Sequence, residues 1–123
     1  MKTLDFFKYL GERIRSYDSL CSAFINNLIK EYKGEISIIL FGSRARGDNK
    51  PSSDFDFFII VKNGDLLKHY VRVGKCKPPE LPADTIILYL EDVTKKLVRR
   101  MLKDAKILYD GLSIKDILKS VRF

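Results

Sequence analysis

Apolar residues recur at intervals of three and four through the first quarter of the chain, from Leu4 to Tyr32. This spacing is the period of an amphipathic helix. Because residues 16–19 are rich in helix-capping types, the segment is either two helices that meet at Asp18 or one bent helix. Gly34 is expected to end it. The apolar positions that carry the pattern are Phe7, Leu10, Ile14, Tyr17, Cys21, Phe24 and Leu28.

Short apolar and β-branched runs come next, bounded by glycine, proline or turn residues. They predict four strands: Ile36–Phe41, Asp54–Val61, Thr85–Leu90 and Ala105–Tyr109. Between the second and third strands, Asp65–Val73 is weakly helical and Lys77–Pro82 is a proline-rich loop. His69 and Tyr70, in the helical part, are interpreted as surface or filler residues.

The segment Asp92–Lys103 predicts a helix with one apolar and one basic face. The basic face is either a solvated face or a binding surface. Ser113 is expected to cap a last helix that runs through Val121. The apolar face holds Val93, Leu97, Val98, Met101 and Leu102, and the basic face holds Lys95, Lys96, Arg99, Arg100 and Lys103.

The alternation of strands and helices predicts an α/β (α+β) fold, with a small mixed sheet of about four strands flanked by helices. The length of 123 residues suits one hydrophobic core, so residues 1–123 are expected to form a single domain. Its N-terminal helical segment covers residues 3–33, and its C-terminal helical segments are basic.

Composition excludes several classes of protein. The chain has no apolar run of the roughly 20 residues that a membrane span needs, and its N-terminus has no signal-peptide pattern. Cys21 and Cys76 are far apart and His69 is the only histidine, which argues against a zinc site or a disulfide scaffold. A cytoplasmic location is therefore expected.

The net charge of +7 is unevenly distributed: residues 95–123 hold nine Lys or Arg residues against three Asp. A basic surface favours anionic partners such as nucleotides, nucleic acid or an acidic protein face. Charge alone does not choose between these partners.

Two aspartates open the second predicted strand. Since residues two apart on a strand point to the same face, Asp54 and Asp56 project together. Adjacent carboxylates repel each other unless a cation lies between them, and Mg²⁺ prefers oxygen ligands of this kind. Asp54 alone could be an ordinary turn residue after Ser52 and Ser53, but Asp56 between two phenylalanines could not.

The loop before these aspartates has features of a phosphate-binding turn. Gly42 allows backbone N–H groups to approach a phosphate closely, and Ser43 adds a hydroxyl donor at the start of a helical turn. A triphosphate would lie there. Asp48 stands where a P-loop requires lysine, and the chain has no GxGxxG motif, so kinase-like and dinucleotide-binding functions are disfavoured.

Gly42-Ser43, ten residues and then Asp54-x-Asp56, with the sequence Arg44-Ala45-Arg46-Gly47 and Ser53 in between, resembles the signature of the DNA polymerase β nucleotidyltransferase superfamily. It is similar to the minimal nucleotidyltransferases that act as antitoxins beside HEPN-domain toxins. The resemblance covers roughly residues 20–111. It implies a third carboxylate at the start of a later strand, for which Asp84 is the best match. The alternative for Asp84 is a strand-start cap after Pro82.

The resemblance implies attack of an acceptor hydroxyl on the α-phosphate of ATP or another nucleotide, with pyrophosphate as the leaving group. Asp54 and Asp56 would bind two Mg²⁺ ions, and Asp84 would bind the ion next to the acceptor and help to deprotonate its hydroxyl. The same resemblance gives the nucleotide-binding candidates Gly42, Ser43, Arg44, Arg46 and Ser53. Arg44 and Arg46 either contact phosphates or pair with a nearby carboxylate and hold the loop.

Two functions remain after the sequence analysis. The first is transfer of AMP to a protein hydroxyl, which the resemblance implies is a tyrosine of a cognate HEPN toxin; transfer to RNA or a small molecule would use the same site. The second is a non-catalytic antitoxin that neutralises its partner by binding. Intact clustered carboxylates argue against the second, because unneeded Asp clusters cost stability. Nucleic-acid binding is a weaker alternative, since the tail lacks interleaved aromatic residues.

Overall fold

The computed structural model describes the backbone of residues 3–120 and the side chains of residues 17–96 and 98–119. Helices and strands alternate along the chain. The α-helices are α1 (Thr3–Glu31), α2 (Ser43–Arg46), α3 (Leu66–Cys76), α4 (Lys96–Met101) and α5 (Ile114–Ser120), with a 3₁₀ helix at Leu90–Thr94. The strands are β1 (Ser37–Phe41), β2 (Phe55–Val61), β3 (Ala83–Tyr89) and β4 (Lys106–Asp110).

The four strands form one mixed sheet in the order β3-β2-β1-β4. β1 is antiparallel to both β2 and β4, whereas β2 and β3 are parallel and are connected through α3. The predicted fold class is therefore confirmed. This topology brings the C-terminal end of β1 and the N-terminal ends of β2, β3 and β4 to the same edge of the sheet, which we call the loop edge.

Alternating residues of each strand contribute to two cores, one on each face of the sheet. On the first face, strand residues such as Phe57 and Ile59 pack with Phe24 and Leu28 of α1 and Val73 of α3. On the second face the buried residues include Phe58, Ile60, Val93 and Ile114, with partly buried side chains from the C-terminal segments packed against them. The even-numbered positions of β2 therefore face the C-terminal third of the chain.

The N-terminal segment is one uninterrupted helix, α1, so residues 16–19 do not break it. Capping side chains stop a helix only where the backbone leaves the helical conformation. Here the apolar period continues across the segment, because Tyr17, Leu20 and Cys21 all pack against the first core. Within the described residues, no helix is long and apolar enough to cross a membrane.

The prediction of one continuous helix over Asp92–Lys103 is wrong. Lys95 adopts an extended conformation and separates the 3₁₀ helix from α4. The Asp92 carboxylate accepts a hydrogen bond from the Tyr89 backbone N–H (3.1 Å) at the start of the 3₁₀ helix, and it pairs with the Lys95 ammonium (2.6 Å) at the break. The break changes the angular phase of α4 relative to the 3₁₀ helix. Val93 and Val98 are buried as predicted, but Met101 is 41% exposed; the Leu97 side chain lies outside the described residues.

The C-terminal helix is capped differently from the prediction. The Asp110 carboxylate, rather than the Ser113 hydroxyl, accepts hydrogen bonds from the backbone N–H groups of Ile114 (2.7 Å) and Lys115 (3.1 Å). Ser113 itself has a positive φ of 57°. The predicted end of the helix at Val121 lies outside the described residues.

His69 is buried and is not a surface residue. Its Nε2 lies 2.6 Å from the Asn63 carbonyl oxygen and its Nδ1 lies 2.7 Å from the Tyr32 hydroxyl. Because a carbonyl only accepts, Nε2 carries the proton and Nδ1 accepts from Tyr32. A histidine with both ring nitrogens satisfied fixes the loop after β2 to the end of α1. Tyr70 is 38% exposed, and its hydroxyl accepts a hydrogen bond from the Ile87 N–H.

Candidate active site

Asp56 and Asp84 lie directly opposite each other on the parallel strands β2 and β3. Adjacent strands are about 4.8 Å apart, and residues in register point to the same face. Both residues are at the loop edge, on the face that the C-terminal segments cover. The two aspartates that the sequence placed on separate strands are thus brought together.

Asp54 immediately precedes β2, which begins at Phe55 rather than at Asp54 as predicted. Its carboxylate is exposed, and it acts on Asp56 electrostatically. Burial raises the pKa of the Asp56 carboxyl, the charges of Asp84 and Asp54 raise it further, and Arg46 partly opposes them. The three predicted carboxylates therefore form one electrostatic cluster centred on Asp56.

Gly42 forms the tight turn after β1, with φ 75° and ψ −159°. A Cβ atom at this position would collide with the Asp56 carboxylate oxygen Oδ2 and would lie 3.2 Å from its Cγ. Only glycine combines this backbone conformation with so close an approach. The turn that the sequence assigned to phosphate binding is therefore packed directly against the central carboxylate.

Ser43 begins α2, whose single turn is held by backbone hydrogen bonds. The Gly42 carbonyl accepts from the N–H groups of Ala45 (3.1 Å) and Arg46 (3.2 Å), and the Ser43 carbonyl accepts from Gly47 (2.9 Å). The buried Ala45 side chain fixes the turn to the first core. These contacts place Ser43 at the loop edge next to Gly42.

Arg44 holds the loop between β1 and β2. Its Nε donates to the Ser53 carbonyl at 3.0 Å and its Nη2 to the Pro51 carbonyl at 3.2 Å, while its guanidinium lies 4.0 Å above the centre of the Phe55 ring. The Ser53 hydroxyl accepts from the Lys50 N–H at 2.9 Å. These contacts support the loop-holding interpretation of Arg44; a nucleotide contact from Arg44 or Ser53 stays a prediction.

Arg46 is exposed. Its Nε lies 3.2 Å from Asp48 Oδ2, in an ion pair that water screens on both sides. Together with Gly42, Arg46 also lines a cavity of about 400 Å³. Its charge lowers the pKa of the Asp56 carboxyl, so Arg46 lies within electrostatic reach of the carboxylate cluster.

The carboxylates supply hard oxygen ligands of the kind that Mg²⁺ takes. Among the described residues, no group of three or more His, Cys, Asp or Glu side chains is arranged so as to hold a metal ion. The donor chemistry fits a hard divalent cation, and the backbone places Asp56 and Asp84 side by side for it. Mutual repulsion keeps like charges apart when no cation is between them.

Basic residues from the C-terminal third of the chain also lie at this site, although their sequence alone did not connect them with it. Arg100 and Lys103 line the same cavity as Gly42 and Arg46. The basic face of the predicted helix was the feature that could have indicated them, but the sequence alone does not show where this face lies in the fold. Its position is set by β4, which pairs with β1 and brings the preceding turn to the loop edge.

Known proteins are similar to this chain both in sequence and in fold. Residues 21–109 match the family described as nucleotidyltransferase domain. Two relatives from Methanocaldococcus jannaschii are each named "Putative protein adenylyltransferase". One is 34% identical over 95 residues, which cover 70% of this chain and 91% of the relative, and the other is 42% identical over 60 residues, which cover 42% and 61%.

A solved structure titled as a putative nucleotidyltransferase from Sulfolobus solfataricus has the same fold. It superimposes with a TM-score of 0.61 at 21% identity, over 80% of this chain and 84% of that one. The family match covers the Gly42 turn and all three aspartates at the loop edge. The chain therefore belongs to the nucleotidyltransferase domain family and is a nucleotidyltransferase enzyme.

Proposed function

We propose that this enzyme transfers AMP from Mg-bound ATP to a hydroxyl of another protein, a tyrosine of a cognate HEPN-type toxin, and thereby acts as an antitoxin. The observation that carries the proposal is the in-register pair Asp56 and Asp84 next to the Gly42 turn. The carboxylate cluster lies within contact distance of the turn that we assign to phosphate binding.

Asp54, Asp56 and Asp84 would hold the Mg²⁺ ions. When bound, the ions neutralise the phosphate oxygens and stabilise the charge that develops on the attacking and leaving oxygens. Asp54 is exposed and precedes the strand, so its side chain is free to turn toward Asp56 as the metal binds. The shared need for a cation explains why three acids lie together at one edge of a basic protein.

The remaining groups of the site handle the acceptor and the leaving group. In the transfer, the acceptor oxygen bonds to the α-phosphorus as the bond to the bridging oxygen of pyrophosphate breaks. Asp84 is exposed at the loop edge and is the carboxylate that we assign to the acceptor hydroxyl and its proton. Gly42 and Ser43 orient the leaving phosphates from the opposite side of Asp56.

A protein acceptor is supported by the names of the two archaeal relatives, each of which describes a protein adenylyltransferase. The narrower choice of a HEPN toxin rests on the resemblance of the Gly42-to-Asp56 segment to minimal nucleotidyltransferase antitoxins. Tyrosine is the acceptor that this resemblance implies. Transfer to RNA or to a small molecule is the competing outcome of the same chemistry.

The test is transfer of radioactivity from α-labelled ATP, with Mg²⁺, to the product of the adjoining gene. The enzyme is compared with the variant Asp54→Asn/Asp56→Asn and with Asp116→Asn, which neutralises an exposed aspartate on α5. We expect label on a tyrosine of the acceptor with the wild type and Asp116→Asn, and none with the double variant. EDTA should abolish transfer.

Three outcomes would contradict the proposal. Label on RNA or on a small molecule, with none on protein, would show that the acceptor is not a protein. Equal transfer by the wild type and the double variant would show that Asp54 and Asp56 are not needed for catalysis. Neutralisation of the toxin by the double variant, without label on the toxin, would favour an antitoxin that acts by binding alone.

A further inference from the structure

The cavity beside Gly42 has a basic lining, two residues of which lie outside the signature motif. Its volume is about 400 Å³. Arg46 lines it from the end of α2, and Arg100 and Lys103 line it from the end of α4 and the turn after it. Phe41 and Met101 add an apolar wall. We call this space the basic cavity.

Strand pairing explains why residues so distant in sequence meet there. β4 runs antiparallel to β1 with Lys106 opposite Leu40, so the residues just before β4 lie next to those just after β1. This register sets the turn after α4 beside the Gly42 turn. The pairing of β4 with β1 therefore determines where Arg100 and Lys103 lie, and the helical pattern of their own segment does not.

Gly42 connects the basic cavity to the carboxylate cluster. It lines the cavity, and a Cβ built on it would overlap the Asp56 carboxylate. A group that occupies the cavity would therefore lie beside the turn that contacts Asp56.

The charge of the cavity suits an anion with several negative charges. Three cationic side chains line it against one carboxylate, that of Asp104. Arg46 already has Asp48 as a partner. Arg100 and Lys103 are exposed, and within the described part of the chain neither forms an ion pair. They are therefore the cations whose charge is least compensated.

We infer that Arg100 and Lys103 bind the β- and γ-phosphates of the nucleotide donor, and hold the pyrophosphate as it leaves. This inference rests on the proposed nucleotidyl transfer at the same site and extends the phosphate-binding set beyond the motif. The Gly42 turn contacts the phosphates on one side of the cavity, and the two side chains close on them from the other. A hydrogen bond to a charged group changes affinity by roughly tenfold or more.

The experiment measures binding of inorganic pyrophosphate and of ATP, each with Mg²⁺, by calorimetry. The variant Arg100→Ala/Lys103→Ala is compared with Lys115→Ala/Lys119→Ala, which removes the same charge from exposed positions on α5. We expect the cavity variant to lose about a hundredfold in affinity for both ligands, and the α5 variant to stay within about threefold of the wild type. The single variant Arg100→Lys, which keeps the charge, should lose less affinity than Arg100→Ala.

AMP serves as the ligand that lacks the two phosphates, so its affinity should differ little between the variants. Equal pyrophosphate binding by the wild type and the cavity variant would overturn the inference. An equal loss of pyrophosphate affinity in both double variants would also overturn the inference, because the loss would then come from the lower net charge and not from the cavity. A cavity variant with normal pyrophosphate affinity but a raised KM for the acceptor protein would reassign the residues to acceptor docking.

The two proposals fail separately. If labelled AMP is transferred to protein and the cavity variant transfers it with an unchanged KM for ATP, this inference is wrong and the proposed function stands. If no acceptor protein is labelled but pyrophosphate binding still depends on Arg100 and Lys103, the proposed acceptor is wrong and the phosphate site stands. Circular dichroism of each variant checks that exposed substitutions leave the fold unchanged.

Discussion

Replacing Gly42 with alanine is the most direct test of how the site is built. Gly42 has φ 75° and ψ −159°, a conformation that costs a residue with a side chain about 1–3 kcal/mol. For a domain of this length, 1 kcal/mol corresponds to about 4 °C in Tm, so Gly42→Ala should lower Tm by about 4–12 °C. The new methyl group would in addition overlap the Asp56 carboxylate oxygen.

The overlap predicts a loss of activity greater than the loss of stability explains. The three atoms nearest to the new Cβ all belong to Asp56: its Oδ2, its Cγ at 3.2 Å and its Cβ at 3.4 Å. The Asp56 side chain must therefore turn away. A displacement of about 1 Å at a reacting centre costs on the order of a hundredfold in rate. We therefore expect nucleotidyl transfer to fall at least about a hundredfold at temperatures where the variant is still folded.

Gly47 provides the matched control. It has φ 83°, so alanine there also pays for a left-handed conformation, about 1–2 kcal/mol. Among the described residues, however, no atom lies within 4 Å of a Cβ built at Gly47. Thermal denaturation and transfer from labelled ATP should show Gly47→Ala destabilised but active. If Gly42→Ala kept the activity of Gly47→Ala, the contact with Asp56 would have no catalytic role.

Two further predictions concern stability. Gly74→Ala should raise the free energy of unfolding by about 0.5–1 kcal/mol, measured by urea denaturation, because Gly74 lies within α3 and, among the described residues, nothing approaches its position within 4 Å. A decrease would show that the end of α3 is not a regular helix. Asp92→Asn should destabilise the protein at pH 7, because the hydrogen bond from Lys95, with a smaller contribution from the Tyr89 N–H, lowers the pKa of the Asp92 carboxyl. A folded-state pKa below the unfolded one stabilises the fold above the unfolded value, and this stabilisation is lost as pH falls through the folded value. Denaturation of both proteins between pH 7 and pH 3 should therefore show the difference shrinking with acid, and a constant difference would refute this account.

The signature segment could be predicted from sequence because its information is local. A buried strand that ends in Gly42-Ser43, and a second strand that opens beside Asp54 and Asp56, identify the residue types and their spacing without reference to any other part of the chain. Period-two alternation predicted that Asp54 and Asp56 share a face, and in β2 it places Phe58 and Ile60 together in the second core. The structure agrees with the predicted strands to within about two residues at their ends.

The features that could not be predicted depend on the pairing of distant segments. That Asp84 lies directly opposite Asp56 requires the parallel register of β2 and β3. The burial of His69 requires Tyr32, which is 37 residues away. The break at Lys95 follows a 3₁₀ helix whose start is capped by Asp92 through the Tyr89 N–H, and the same carboxylate pairs with the Lys95 ammonium.

The order of the strands explains why chemistry is concentrated at the loop edge. Since β1 is antiparallel to β2 and β4 while β3 is parallel to β2, the segments that enter β2, β3 and β4 lie at the same edge of the sheet as the segment that leaves β1. The Gly42 turn, the carboxylates and the basic turn after α4 are brought to this edge from different parts of the sequence. The signature motif therefore marks only the portion of the site that one loop and one strand supply. The cations that complete it come from a segment whose sequence, taken alone, is that of an ordinary basic helix.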